Sequence, residues 1–259
     1  MSRTIHVRHA EGAPPARYGE DEQRQDGAAR NGEGASSQTL ARLMLWLSPA
    51  YPVGGFSYSH GLEWTVEAGI VKDAATVGDW IEDVLVHGAG RTDAILLGEA
   101  WRALTAQDVP RFDAAAELAA ALVPSAERRL ETLAQGTAFL AATLAAWPKP
   151  KLAKLAENGR QIAYPIAVGA CAAVHGLPLV ETAHAFIQAF AATLVSAGVR
   201  LIPLGQSDGL RVLARLEPLV ARVVAAALAA PLDDVGGAAI SVDISSMRHE
   251  TQYTRLFRS

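Results

Sequence analysis

Apolar residues recur along this chain at the three- and four-residue steps of a helix, in blocks separated by proline and glycine. Leu40, Leu43, Met44 and Leu47 begin the pattern, and Ser48 and Pro49 end it. A helix from about Ser59 is expected to carry Leu62, Val66 and Ile70. Thr76 and Asp79 then give a start signal like a capping box, for a helix with Val77, Trp80, Ile81, Val84 and Gly88 on one face. Gly88 and Gly90 break it, and Ala94, Leu97, Trp101 and Leu104 mark the next. Asp108 and Pro110 start another, through Phe112 and Leu118 to Leu122, and Val123 to Ser125 stops and restarts the chain. Leu130, Leu133, Thr137, Leu140 and Leu144 continue to a proline-rich stop over 147–150.

Val180, Ala183, Ile187, Phe190, Leu194, Ala197 and Leu201 keep the helical step without a miss, the pattern expected of a central buried helix. A last long helix carries Leu213, Leu216, Val220 and Val223 and ends near Pro231. Between these elements, residues 163–180 form the longest uncharged run, as long as a membrane span. Pro165, Gly169, Gly176 and Pro178 are expected to break it into turns of a buried soluble core. The prediction is an all-α, single compact helical domain of about nine to ten helices over residues 39–231.

The two ends differ. Residues 1–38 are a balanced mixture of arginines, acids, glycines and prolines with almost no large apolar side chains, the composition of a disordered tail. Residues 232–259 start acidic and turn basic and aromatic, with only 238–244 hinting at an extended piece, and they follow Gly236 and Gly237. That pattern is the expectation of a C-terminal docking tail ordered by a partner, not of core.

Composition strengthens the helical prediction, since 50% of the 259 residues are hydrophobic and only 6% aromatic, with alanine and leucine dominant. A formal net charge of −4 gives no general attraction to phosphates, so neither nucleic acid nor a membrane is expected as a partner. The single cysteine, Cys171, lies in an apolar run, and no secretory signal is visible at the N-terminus, so a cytoplasmic location is expected.

Chemistry concentrates in the stretch from Ser48 to Glu63, where Pro52, Gly54, Gly55, Phe56, Ser57, Tyr58, Ser59, His60 and Glu63 stand between two helical segments. Its residues are chosen by backbone geometry and contact, as in a binding surface or a catalytic loop. The catalytic signatures stop short. Ser59 stands where a nucleophile elbow needs its second glycine, and Tyr253 where a zinc helix beginning His249-Glu250 needs its second histidine. The chain has no P-loop, so a nucleotide-dependent step needs a partner. His60, Glu63 and Glu67 at helical spacing are the best metal or acid–base candidates, although a solvated polar stripe explains them as well. Arg128 and Arg129, with Glu127 and Glu131, suggest a charged helix face. Arg200, inside the apolar central helix, needs acceptors, for which Asp208 or the C-terminal backbone carbonyls are candidates. Two functions follow: a non-enzymatic adaptor, or a helical metalloenzyme or hydrolase using Ser57, His60 and Glu63.

Four segments together are familiar: 47–63, 127–139 with Gln135 and Gly136, 197–209 ending Leu-Gly-Gln-Ser-Asp-Gly, and 245–257 with Met-Arg-His-Glu. In their order and spacing the chain, from about residue 40 onward, resembles UreF, the urease accessory protein family. The resemblance implies an all-α homodimer that is not an enzyme. It implies a scaffold that binds UreD (also called UreH), recruits the GTPase UreG and helps deliver nickel to apo-urease. It also implies partner contacts at Phe56, where some members carry tyrosine, at Arg200, Gln206 and Asp208, and in the tail at Arg248, His249, Glu250, Tyr253 and Arg255. Nickel is then handled by the complex and GTP bound by the partner, with no cofactor or nickel held tightly by the isolated chain, because a conduit needs exchangeable groups.

Overall fold

The computed structural model describes residues 36–259. Residues 36–42 are helical and belong to a first unit, Met1–Arg42, and the second unit, Leu43–Ser259, is the body described below. The tail expected over 1–38 therefore lies outside the described residues, apart from 36–38, which are helical.

Helix α1 ends at residue 46, and ten more follow: α2 (Leu62–Glu67), α3 (Ala74–His87), α4 (Ala89–Thr105), α5 (Val109–Ala121), α6 (Ala126–Ala146), α7 (Pro150–Leu155), α8 (Tyr164–His175), α9 (Leu179–Leu201), α10 (Gln206–Ala229) and α11 (Ile240–His249). Among the described residues there is no strand, as an alanine- and leucine-rich composition predicts. Several starts are fixed by the residues that announce them. Asp108 caps α5 through the Arg111 amide, with Pro110 in the first turn, and Ser125 caps α6 through the Arg128 amide. The capping box of α3 sits three residues before the expected one: Asp73 accepts from the Thr76 amide at 2.9 Å, and Thr76 Oγ1 accepts from the Asp73 amide at 3.1 Å.

The centre of the body is α8: Gly176 and Pro178 break the 163–180 run as expected, but Pro165 and Gly169 do not, a correction to that expectation. Pro165 falls in the first turn, where an amide hydrogen has no helical acceptor, so the helix forms through it. Residues Pro165 to Ala172 are all buried, the signature of a helix that is apolar all round. Gly169 explains how α8 lies so close to α4, because a Cβ there would stand 2.3 Å from the Leu97 carbonyl oxygen. Gly136 does the same for α6, where a Cβ would stand 1.9 Å from the Ile162 carbonyl oxygen. Helix α9 is long and apolar enough to cross a membrane by length and composition, but half of that span is buried against neighbouring elements. Its expected inward positions Ala183, Ile187, Leu194 and Ala197 are buried, whereas Val180 is exposed.

Rings join the layers. Trp46 meets Phe139 edge-on at 5.5 Å, Phe139 meets Tyr51 and Tyr164, and Tyr164 meets Phe186 at 5.2 Å. Each fully buried ring of this kind contributes about 2 kcal/mol by area alone. Two further corrections concern the ends of the apolar pattern. The 238–244 segment read as extended is the start of α11, whose Val242, Ser245, Ser246 and His249 face inward at helical spacing. Residues 250–259, read as a tail outside the core, return to the body, with Phe257 and Ser259 buried.

Candidate partner-binding site

The stretch from Ser48 to Glu63 is built as a reversing loop. Tyr51 turns inward, its hydroxyl 2.8 Å from Thr143 Oγ1. Gly54, at φ 72°, leads into a 3₁₀ turn over Gly55–Ser57 that leaves Phe56 70% exposed. Tyr58 and Ser59 then turn inward, and His60 and Gly61 take φ values of 59° and 82° to enter α2. Gly61 is required here for its freedom and its size: a Cβ would meet the Ser246 amide nitrogen of α11 at 2.6 Å. The helix expected from Ser59 thus starts at Leu62 and ends at Glu67, and Ile70 is exposed.

Because His60 sits in the turn, it does not share a helix face with Glu63. The two side chains enter different clusters. Glu63 accepts from the backbone amides of Leu256 (2.6 Å) and Phe257 (2.9 Å), and its Oε2 is 3.1 Å from His249 Nε2. The other ring nitrogen of His249 lies 2.6 Å from Glu127 Oε2, and Glu127 Oε1 accepts from Arg255 at 2.6 Å. A fully buried imidazole with a carboxylate on each nitrogen satisfies both bonds when it carries both hydrogens. Glu250 caps α6, accepting from the Ala126 amide at 2.7 Å.

His60 joins the second cluster. Arg128 Nη1 is 2.9 Å from His60 Nδ1 and forms a buried ion pair with Glu131, whose Oε1 is 3.3 Å from the same ring nitrogen. Glu131 also accepts from Gln135 Nε2 and from the Ser259 hydroxyl, the latter at 2.6 Å. The loop and the last residues then pair like two short strands, with Arg258 N donating to Ser57 O and Ser59 N to Ser259 O. Arg200 closes the outer side: its Nη1 donates to the Phe56 carbonyl at 2.8 Å, and its guanidinium lies 4.3 Å from the centre of the Phe257 ring. Asp208, the acceptor suggested by sequence, instead pairs with Arg211 and caps Gly205, while Arg200 Nε donates to Ser196 O.

Two cavities meet behind this surface. One, of about 180 Å³, opens beside Phe56 and Arg200, and the other, of about 290 Å³, beside Gly236, Val242 and Asp243. His60, Asp93, Arg128 and Thr132 line both. Burial holds His60 well below the usual histidine range, with Arg128 acting in the same direction. Burial pushes the Asp93 carboxyl up to about 7 against the pull of Arg128, with Glu131 adding to the rise. Among the described residues no three His, Cys, Asp or Glu side chains converge to hold a metal ion.

The profile of the UreF family matches residues 71–217. The chain is 56% identical over 224 residues to the urease accessory protein UreF of Rhodopseudomonas palustris strain TIE-1, a match covering 86% of this chain and 93% of that protein. Over 229 residues it is 56% identical to the protein of that name from strain HaA2, covering 88% and 95%. It is 53% identical over 221 residues to the one from Bradyrhizobium diazoefficiens, covering 85% and 91%. The chain belongs to the UreF family.

Within this UreF-family fold the residues singled out by sequence differ in burial, with Gly54, Gly55, Ser57 and Asp208 intermediate and Arg200 exposed. Ser59, His60, Glu63 and His249 are buried inside the clusters, with Tyr58 buried beside them. Pro52, Phe56, Gln206, Arg248, Glu250, Tyr253 and Arg255 are exposed. Ser57, His60 and Glu63 do not assemble as a triad, because His60 faces Arg128 and Glu131 while Glu63 faces His249 and the last residues. Sequence reasoning missed Asp93 and Ser259, named Gln135 without a role, and took Arg128 and Glu131 for a charged helix face when both are buried. The available signal was spacing: Arg128, Glu131 and Gln135 share helical period with Phe139, and so share its inward face.

Proposed function

We propose that this urease accessory protein is a non-enzymatic, cytoplasmic adaptor that acts as a homodimer. It binds UreD (UreH), recruits the GTPase UreG and so places the urease apoprotein for nickel insertion. The partner supplies the GTP site, and nickel is cargo of the complex. One observation carries this reading: two segments about 200 residues apart in sequence pair through their backbones and share one outer face. Phe56 at 70%, Tyr253 at 102% and Leu256 at 65% stand exposed beside Arg200 and Arg255. Exposed aromatic and arginine side chains over a fixed backbone are the composition of an interface hot spot. Behind them His60 is turned to Arg128 and Glu131 while Glu63 is turned to His249, so no nucleophile, base and acid converge, which supports an adaptor over a hydrolase.

Residues 240–259 supply buried partners to Glu63 and Glu131, so deleting them confounds docking with folding. The cleaner test is Phe56→Ala with Leu256→Ala in the full chain, followed by co-purification with UreD and UreG and by thermal melting. Loss of either partner with melting unchanged is the expected result. Undiminished assembly would refute the assignment of this face.

A further inference from the structure

Among the described residues, Asp93, on α4, is the carboxylate that lines both cavities, and it has neither hydrogen bond nor ion pair. His60 Nε2, 94% of that residue being buried, also has no partner, and the residue lines the same two cavities. Arg128 approaches Nδ1, so the His60 hydrogen sits on Nε2 and the ring presents a donor there. Glu131, by contrast, is saturated by Arg128, Gln135 and Ser259. Among the described residues Arg128 is the only cation bordering both cavities, and it holds one carboxylate while sharing the space with a second.

We infer that Asp93 is a proton switch acting on the partner face. When ionised, Asp93 competes with Glu131 for Arg128; when neutral, it leaves Arg128 to Glu131. Glu131 is the acceptor of the Ser259 hydroxyl, and the Ser259 backbone oxygen holds both the amide and the hydroxyl of Ser59. The state of Asp93 therefore reaches the paired segments 57–59 and 258–259 through two side chains, Arg128 and Glu131.

The surrounding groups fit such a switch. From α6 it faces Arg128 and Glu131, from the turn before α2 His60, and from α11 Asp243, which burial also shifts upward. Helix α8 adds the Tyr164 phenol and α9 Arg200, both at the first cavity only, while α3 and α5 present uncharged residues at the second and α10 lines neither. Burial without a committed counter-ion places the Asp93 titration at about 7, inside the range a cell visits.

The biological use of this switch rests on the partner-face reading, but the switch itself belongs to the isolated chain. The test is a pH titration from about 5 to 9 of the full-length protein by NMR. It follows the aspartate carboxyl carbons and the amides of Ser57, Ser59, Arg258 and Ser259, in wild type, Asp93→Asn and Asp93→Glu. We expect one carboxyl carbon and those four amides to move together with a midpoint near 7. The amide movement should vanish in Asp93→Asn and return in Asp93→Glu. Amide shifts that persist with the same midpoint in Asp93→Asn, or their absence in wild type, overturn the switch. Spectra elsewhere that match wild type establish that the variants fold. No partner is present, so failure here leaves the co-purification result untouched, and failure of co-purification leaves this titration standing.

Discussion

The two halves of α6 bury their inward faces in opposite ways. From Gly136 onward the face is Phe139, Leu140 and Thr143, packed against the Ile162–Tyr164 backbone and the ring of Trp46. Before it, the face is Arg128, Glu131 and Gln135, closed by His60 and Ser259. The apolar half gains free energy in proportion to area, whatever the detailed orientation of its neighbours. The polar half recovers little net energy, since desolvating an ion pair offsets most of its attraction, but it is satisfied by only one arrangement of the chain. One half holds the fold; the other fixes the loop and the last residues in a single geometry. Both lie on one helix, two turns apart.

The sharpest way to break this comparison is to damage each half. Phe139→Ala should cost about 4 kcal/mol, as a fully buried ring whose neighbours cannot collapse around the void. Denaturant melts would read it as a shift in midpoint at constant slope. Glu131→Ala should cost about 3 kcal/mol, because Arg128 is left buried without its counter-charge and Ser259 without its acceptor. Combining Glu131→Met with Arg128→Met should regain at least half of that, since no buried charge is left unpaired. No such rescue exists for Phe139. Recovery of stability in the double variant, with faster amide exchange at Arg258 and Ser259, would show that the polar half specifies more than it stabilises. Failure to recover would mean that the ion pair is itself a main support.

The same contrast sets what the sequence made legible. Helix starts at Asp108 and Ser125 and the stop after Ala146 were readable because caps and prolines act on their own few neighbours. The apolar face of α3 was readable because burial follows period. Helix α8 was misread from Pro165 and Gly169, since the first serves a helix start and the second a contact with α4, 72 residues earlier. The start of α11 was misread as extended over 238–244, because tertiary packing, not local pattern, selects Val242, Ser245 and His249 as its inward face. The polar half of α6 was invisible for a related reason. His60 and Arg128 are 68 positions apart and Glu131 and Ser259 are 128 apart, and no local spacing reports such partners. Sequence found the loop and the last residues as chemically unusual, but not that they hold each other.

A smaller effect is expected at the outer edge of the polar half. Arg200→Ala should cost about 1.5 kcal/mol, the sum of a hydrogen bond to the Phe56 carbonyl and a partly solvated stack on Phe257. Arg200→Lys should recover little, because an ammonium cannot both stack and reach the carbonyl as a planar guanidinium does. Equal stability of the lysine and arginine forms would reduce the stack to a bystander.

The smallest effect is a dependence on pH, in which His60 and Asp93 pull in opposite directions. His60 is held well below 6.5 in the fold, so on acidification the unfolded chain takes a proton that the folded chain refuses, and stability falls as pH drops through 6.5. Asp93 behaves inversely. Its carboxyl titrates at about 7 in the fold against 3.8 in the unfolded chain, so the folded chain binds the extra proton between those values. Stability from this group therefore falls as pH rises from about 4 to 7 and levels off above. Between pH 5 and 7 the two slopes partly cancel in the wild type. Asp93→Asn removes one of them, so the variant should gain stability over wild type by about 1 kcal/mol from pH 5 to pH 7, after discounting for solvent in the cavity. Chemical denaturation at the two pH values measures the difference. The same difference between variant and wild type at both pH values would mean that Asp93 is ionised throughout, already paired with Arg128, and that the two halves of α6 differ in their side chains but not in how firmly each is fixed.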